Sequence, residues 1–96
     1  MMQAVFQDRV IATSDRTVVV EGNHYFPLES VEPGILRPSP TKSLCPWKGV
    51  AGYYSVEVDG VTEKDAAWTY RHPSPFARRI KNHVAFWGSV TVVDNA

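Results

Sequence analysis

Val50-Ala51-Gly52-Tyr53-Tyr54-Ser55-Val56-Glu57-Val58-Asp59-Gly60-Val61 is the stretch that decides the fold class. Side chains alternate across a strand. Tyr54, Val56 and Val58 therefore make one apolar face, and Tyr53, Ser55 and Glu57 make the other. Asp59-Gly60 supplies the two positive-φ positions of a tight hairpin turn. The return strand takes in Val61 and, past a polar kink, residues 67–70.

The same grammar runs upstream. Residues 4–6 and 10–12 read as short strands joined around Asp8, and Asp15-Arg16 makes another turn. Residues 17–21 are a β-branched run with Val18 and Val20 on one face. Gly22-Asn23 bends the chain, and residues 24–26 resume an extended form before Pro27. Residues 27–46 read as mostly loop, because Pro27, Pro33, Pro38, Pro40 and Pro46 each remove a backbone donor. Long ordered loops are more often functional than short ones.

Downstream, Ser74-Pro75 has the form of a helix cap followed by proline at the first helical position. Phe76 and Ile80, at i and i+4, would staple a short helix to the sheet, with Asn82 near its end. Residues 84–87 and 90–93 read as a closing hairpin through Gly88-Ser89. The sum is a mainly β fold: one small domain over residues 1–96, with about six to eight short strands in a curled or barrel-like sheet and one short helix.

Composition narrows the function classes. Ninety-six residues amount to one domain with a thin core, so each large aromatic matters. The formal net charge is zero, whereas phosphate-backbone recognition needs a concentrated basic surplus. Arg78, Arg79 and Lys81, with Arg71 nearby, could steer an anion, but a solvated helix face explains them more simply. No nucleic-acid partner is expected. No membrane partner is expected either, since no apolar run approaches the ~20 residues of a spanning helix. Cys45 is the lone cysteine, which removes intramolecular disulfides and cysteine-pair zinc sites. Asp59, Asp65 and Asp94 are isolated, so no metal and no cofactor is expected. A reducing cytoplasm is the expected compartment, and the chain is expected to be a monomer or homodimer.

Three segments concentrate chemistry. The first is Glu21-Gly22-Asn23-His24-Tyr25-Phe26-Pro27, with a carboxylate, an amide, an imidazole and a phenol inside a span of five residues at a strand end. It could grip a ligand or carry a proton on Glu21 or His24. It could equally be a turn in which Asn23 bonds its own backbone and His24 faces solvent. The second is Cys45-Pro46-Trp47-Lys48-Gly49. Cys45 could be a nucleophile with Lys48 holding an anionic group, although free cysteine is more often a small buried hydrophobe. The third is Ala66-Ala67-Trp68-Thr69-Tyr70. Trp68 and Tyr70 share a strand face and offer an amphipathic wall, or they simply fill a thin core.

Those residues also carry a resemblance. Glu21-Gly22-Asn23 with Tyr25-Phe26-Pro27, Cys45-Pro46-Trp47-Lys48-Gly49 with Ala51 and Tyr53-Tyr54, Ala67-Trp68 with Tyr70 and Pro73, and Val84-Ala85-Phe86-Trp87 resemble the bacterial and fungal family called domain of unknown function 427. The resemblance spans nearly the whole chain and implies a small β-rich single domain. The family sometimes carries a nucleotidyltransferase label. Nucleotidyl transfer ordinarily uses acidic residues holding metal around a triphosphate, and the Gly-Ser motif with paired aspartates is not in this sequence.

The expectation is a small-molecule-binding β domain with a pocket lined by Glu21, Asn23, Tyr25, Cys45, Lys48, Trp68 and Tyr70, its ligand of unknown identity. Two alternatives stand beside it. One is an enzyme using Cys45 as nucleophile or Glu21 as general base, with Lys48 binding an anionic group. The other is a protein-interaction module using Trp47 or Trp87 on an exposed face.

Overall fold

In the computed structural model, which describes residues 1–95, nine strands form two antiparallel sheets. The strands are β1 (Met2–Phe6), β2 (Arg9–Ser14), β3 (Val18–Val20), β4 (Asn23–Pro27), β5 (Leu36–Cys45), β6 (Gly49–Val58), β7 (Val61–Thr69), β8 (His83–Phe86) and β9 (Thr91–Asp94). One sheet has the order β2-β1-β9 and the other the order β3-β4-β8-β7-β6-β5. The mainly β reading holds. The sheets do not close into a barrel.

The β6–β7 hairpin is built as the sequence dictates. Asp59 at φ 51° and Gly60 at φ 80° form its turn, and Val58 pairs with Val61. On β6, Val56 and Val58 join an apolar core with Phe6, Ile11, Phe26, Val84 and Phe86. This core lies between the two sheets, with Phe26 and Phe86 meeting edge to face at 5.7 Å. Ala51 instead joins Val20, Tyr25, Tyr70 and Ala85 in a second cluster on the outer face, with Tyr53 and Trp68 packed against it. Ala77 and Ile80 complete that cluster from a 3-10 segment, Pro75–Ile80. The six-stranded sheet therefore has two apolar faces, and the outer one is covered only in part.

Four sequence expectations are corrected. First, Leu36–Cys45 is a ten-residue strand, not loop. Proline is tolerated there because β5 is an edge strand, where a missing N–H disturbs little. The register slips between Ser39 and Lys42, around Pro40. Second, the turn before β4 is Glu21-Gly22, since Val20 pairs with Asn23. Third, residues 75–80 are 3-10 rather than α-helical, with Ala77 off helical geometry and no side-chain cap. Phe76 is 84% exposed and staples nothing, while Ile80 is fully buried. Fourth, the last two strands do not form a hairpin. β8 lies between β4 and β7, whereas β9 pairs with β1 in the other sheet. Among the described residues, no helix is long and apolar enough to cross a membrane.

Candidate functional site

Lys48 lies in the three-residue connection between Cys45 and Gly49, which pair across the β5–β6 hairpin. Gly49 closes this loop at φ 116°, where an added Cβ would press on the His72 carbonyl at 3.4 Å. The loop is strapped from the far side by Ser74. Its N–H donates to the Lys48 carbonyl at 2.8 Å, and its hydroxyl donates to the Trp47 carbonyl. The cap expected from Ser74 is thus spent on fixing the lysine loop.

So held, the Lys48 side chain is 8% exposed, and its ammonium donates to Oε1 of Glu21, which is 51% exposed. Oε2 of Glu21 accepts from the Trp47 indole N–H at 3.4 Å. The ammonium stands 5.5 Å from the ring centres of both Trp47 and Tyr70, within range of a cation–π attraction. Glu21 reaches it from a strained place, the turn between β3 and β4, at φ 53°. That conformation is uncommon for a residue other than glycine, asparagine or aspartate.

Opposing effects set the charges. Burial disfavours the Lys48 ammonium, but the hydrogen bond to Glu21, with the negative charges of Tyr25 and Tyr70 when they ionise and of Glu21, outweighs it and leaves the pKa above its ordinary value. The hydrogen bonds from Lys48 and then Trp47 hold the Glu21 carboxyl below the usual range. Burial raises the Tyr70 phenol, with the Lys48 charge opposing only in part. At neutral pH the site holds an ammonium, a carboxylate and a protonated phenol.

Behind these groups Tyr25 is fully buried. Its hydroxyl accepts from the Trp68 indole N–H at 3.1 Å, and the two rings meet edge to face at 6.3 Å. Tyr53 lies directly across the ladder from Trp68. Tyr53, Trp68, Tyr70 and Trp87, with Lys48, line an open cleft of about 270 Å³. Trp87 is anchored by its indole N–H, which donates to the Asp65 carbonyl at 2.6 Å.

Of the residues singled out in the sequence, Lys48, Trp68 and Tyr70 line the cleft. Glu21 and Tyr25 stand behind them as hydrogen-bond partners. Cys45 is half-buried against the same apolar cluster. Asn23, half-buried at the start of β4, is not part of the lining. His24 points to the other side of β4 from Tyr25 and shares a 2.8 Å hydrogen bond with Thr17. The sequence reading does not place Tyr53 or Trp87 in the lining, Trp87 being expected only on an exposed interaction face, and it does not give Trp47 its bracing role. Tyr53 had a signal, as an aromatic ring on the face otherwise occupied by Ser55 and Glu57. Among the described residues, no three His, Cys, Asp or Glu side chains gather as metal ligands would.

The family model described as Domain of unknown function (DUF427) matches residues 1–95. No curated protein matches the chain.

Proposed function

We propose, for a chain that belongs to the domain of unknown function 427 family, that it is a small-molecule-binding domain whose ligand occupies the cleft between Lys48 and the Tyr53, Trp68, Tyr70 and Trp87 rings. The observation that carries this reading is the nearly buried Lys48 ammonium set at the base of an aromatic wall. Taking an ammonium out of water is costly even when it is paired, and a thin core would be filled more cheaply by leucine. Such a charge earns its place by meeting something that enters the cleft. Small-molecule sites commonly combine apolar and aromatic walls with a few placed polar groups.

The chemistry narrows the ligand to a small molecule with a flat apolar body and a hydrogen-bond-accepting head, such as a carboxylate or ring carbonyl. The rings would stack the body, and Lys48 and the Tyr70 hydroxyl would donate to the head. The cleft, at about 270 Å³, falls just under the roughly 300–1,000 Å³ of drug-sized sites, which suits a compact metabolite. The free, half-buried Cys45 fits a reducing cytoplasm as the setting.

The catalytic alternative has less behind it. A carboxyl held below its usual pKa is a weaker base, which counts against Glu21 as proton acceptor. No histidine hydrogen-bonds to Cys45 among the described residues, so the thiol lacks a base partner of the kind nucleophilic cysteines use. The interaction-module alternative keeps a specific observation, the exposure of Trp87 at 57% and of Trp47 at 39%.

A thermal-shift screen of small aromatic carboxylates and nucleobases tests the leading reading. A true ligand at 100 times its Kd should add about 2.7 kcal/mol of stability. The response should disappear in Lys48→Met and in Tyr53→Ala, and persist in Phe76→Ser. A hit that stabilises Lys48→Met and Tyr53→Ala as strongly as the wild type would overturn the assignment of the cleft.

A further inference from the structure

We infer that a second cleft, on the opposite face of β6 from the aromatic one, binds the phosphate group of a small phosphomonoester. Alternation along β6 sends Ala51 and Tyr53 to the aromatic side and Val50, Gly52 and Tyr54 to the other. Toward the start of the strand this second side is open, with Val50 52% exposed. There a cleft of about 500 Å³ is lined by Lys42, Val50, Gly52, Arg71, His72 and Ser74, along with Gly49.

Arg71 is set in place rather than left to wander. Its Nη2 donates to the Tyr54 hydroxyl at 2.8 Å, and its guanidinium carbon lies 5.4 Å from the centre of the Tyr54 ring. The guanidinium passes over Gly52, where an added Cβ would come within 2.7 Å of Nη1. The glycine makes room for the cation, and the tyrosine fixes its direction. Lys42 pairs directly across the ladder from Gly52, so its side chain leaves β5 on the same face.

The charge lining this cleft is of one sign. Arg9, Arg37 and Lys48 are each paired with a carboxylate. Among the described residues neither Arg71 nor Lys42 has such a partner, and no Asp or Glu lines this cleft. In a chain of formal net charge zero, two unpaired cations beside a histidine make a local anion trap. A guanidinium offers a planar fork suited to oxyanions, and an ammonium adds a point charge. A phosphomonoester carries close to two negative charges and three acceptor oxygens, enough to engage Lys42, Arg71 and His72 together. A carboxylate has one charge and two oxygens. Val50 offers an apolar seat for the rest of the molecule.

The test is an amide-proton NMR titration with inorganic phosphate and with phenyl phosphate, each run against chloride and acetate at equal ionic strength. The expected result is saturable shifts at Gly49, Gly52, Arg71 and His72, with Kd at or below about 1 mM and tighter binding of phenyl phosphate. Arg71→Gln should weaken binding at least about tenfold. Gly52→Ala, which needs only the tip of a flexible side chain to move, should weaken it in a protein whose spectrum stays folded. Arg79→Gln, an exposed arginine outside the cleft, should change Kd less than about twofold. Shifts that do not saturate, that chloride reproduces, or that Arg79→Gln weakens as much as Arg71→Gln would overturn the site. Acetate binding as tightly as phosphate would overturn the phosphate assignment.

Discussion

Tyr25 shows how much one atom carries in a site of this size. Its hydroxyl is the acceptor for the Trp68 indole N–H, and Tyr25→Phe leaves that half-buried donor without it. The expected cost is about 1–2 kcal/mol in chemical denaturation, with the Trp68 emission moved as its neighbour changes. The ionised groups set a pH profile. Glu21 and Asp65 have folded pKa values below their ordinary 4.5 and 3.8, Glu21 through Lys48 and Trp47, Asp65 through Ser39 and Thr41. Their stabilisation is present above those ordinary values and lost as pH falls through the lower folded ones. Lys48 and Tyr70 are raised from 10.5 and 10.0, so their share is present below those values and lost as pH rises through the raised ones. Thermal melts should therefore decline on an acid limb below about pH 4.5 and on an alkaline limb above about pH 10. Glu21→Gln should flatten the acid limb. A Glu21→Gln melt profile identical to the wild type would contradict the Lys48 pairing. Residue chemistry was legible in the sequence; partnership was not. Glu21 and Lys48 stood out as types, but only the turn at φ 53° and the Ser74 strap bring them together.

At the scale of the element, local patterns foretold what local physics controls. Alternation and the Asp59-Gly60 pair located the central hairpin because both act within a few residues. Gly60→Ala, at φ 80°, should cost about 1 kcal/mol or more. The misses occurred where a neighbour decides. Pro38 and Pro40 argue against a strand only if both edges must pair, and β5 has a free edge. Phe76 and Ile80 have helical spacing, but a six-residue 3-10 segment rotates them apart and buries only Ile80. The pair makes a sharp check. Ile80→Ala should cost about 2–5 kcal/mol, whereas Phe76→Ser should stay within about 0.5 kcal/mol of wild type. Equal losses in urea unfolding would restore the stapled helix.

For the whole molecule, the decisive contacts are the most distant in sequence. β1 pairs with β9 from Met2–Asp94 to Val5–Thr91, and the Asn95 N–H donates to the Met1 carbonyl at 2.8 Å. No local signal could assign β9 to that sheet. Its four residues read equally well as a partner for β8, and which one wins depends on β8 already lying between β4 and β7. Deleting the chain from Thr91 onward strips an edge from β1, and such a variant should lose its cooperative melt by circular dichroism. A two-state melt at the wild-type temperature would show that β9 is dispensable. The two sheets, with one core sealed between them, leave the outer face free for the aromatic cleft, and the proposed activity depends on that division. The most direct measurement is a crystallographic soak of small aromatic carboxylates and nucleobases. The expected density lies in the cleft among Tyr53, Trp68, Tyr70 and Trp87, with an acceptor atom within hydrogen-bond reach of Lys48 Nζ or the Tyr70 hydroxyl. Bound fragments found only elsewhere, with the cleft holding nothing but solvent, would contradict it.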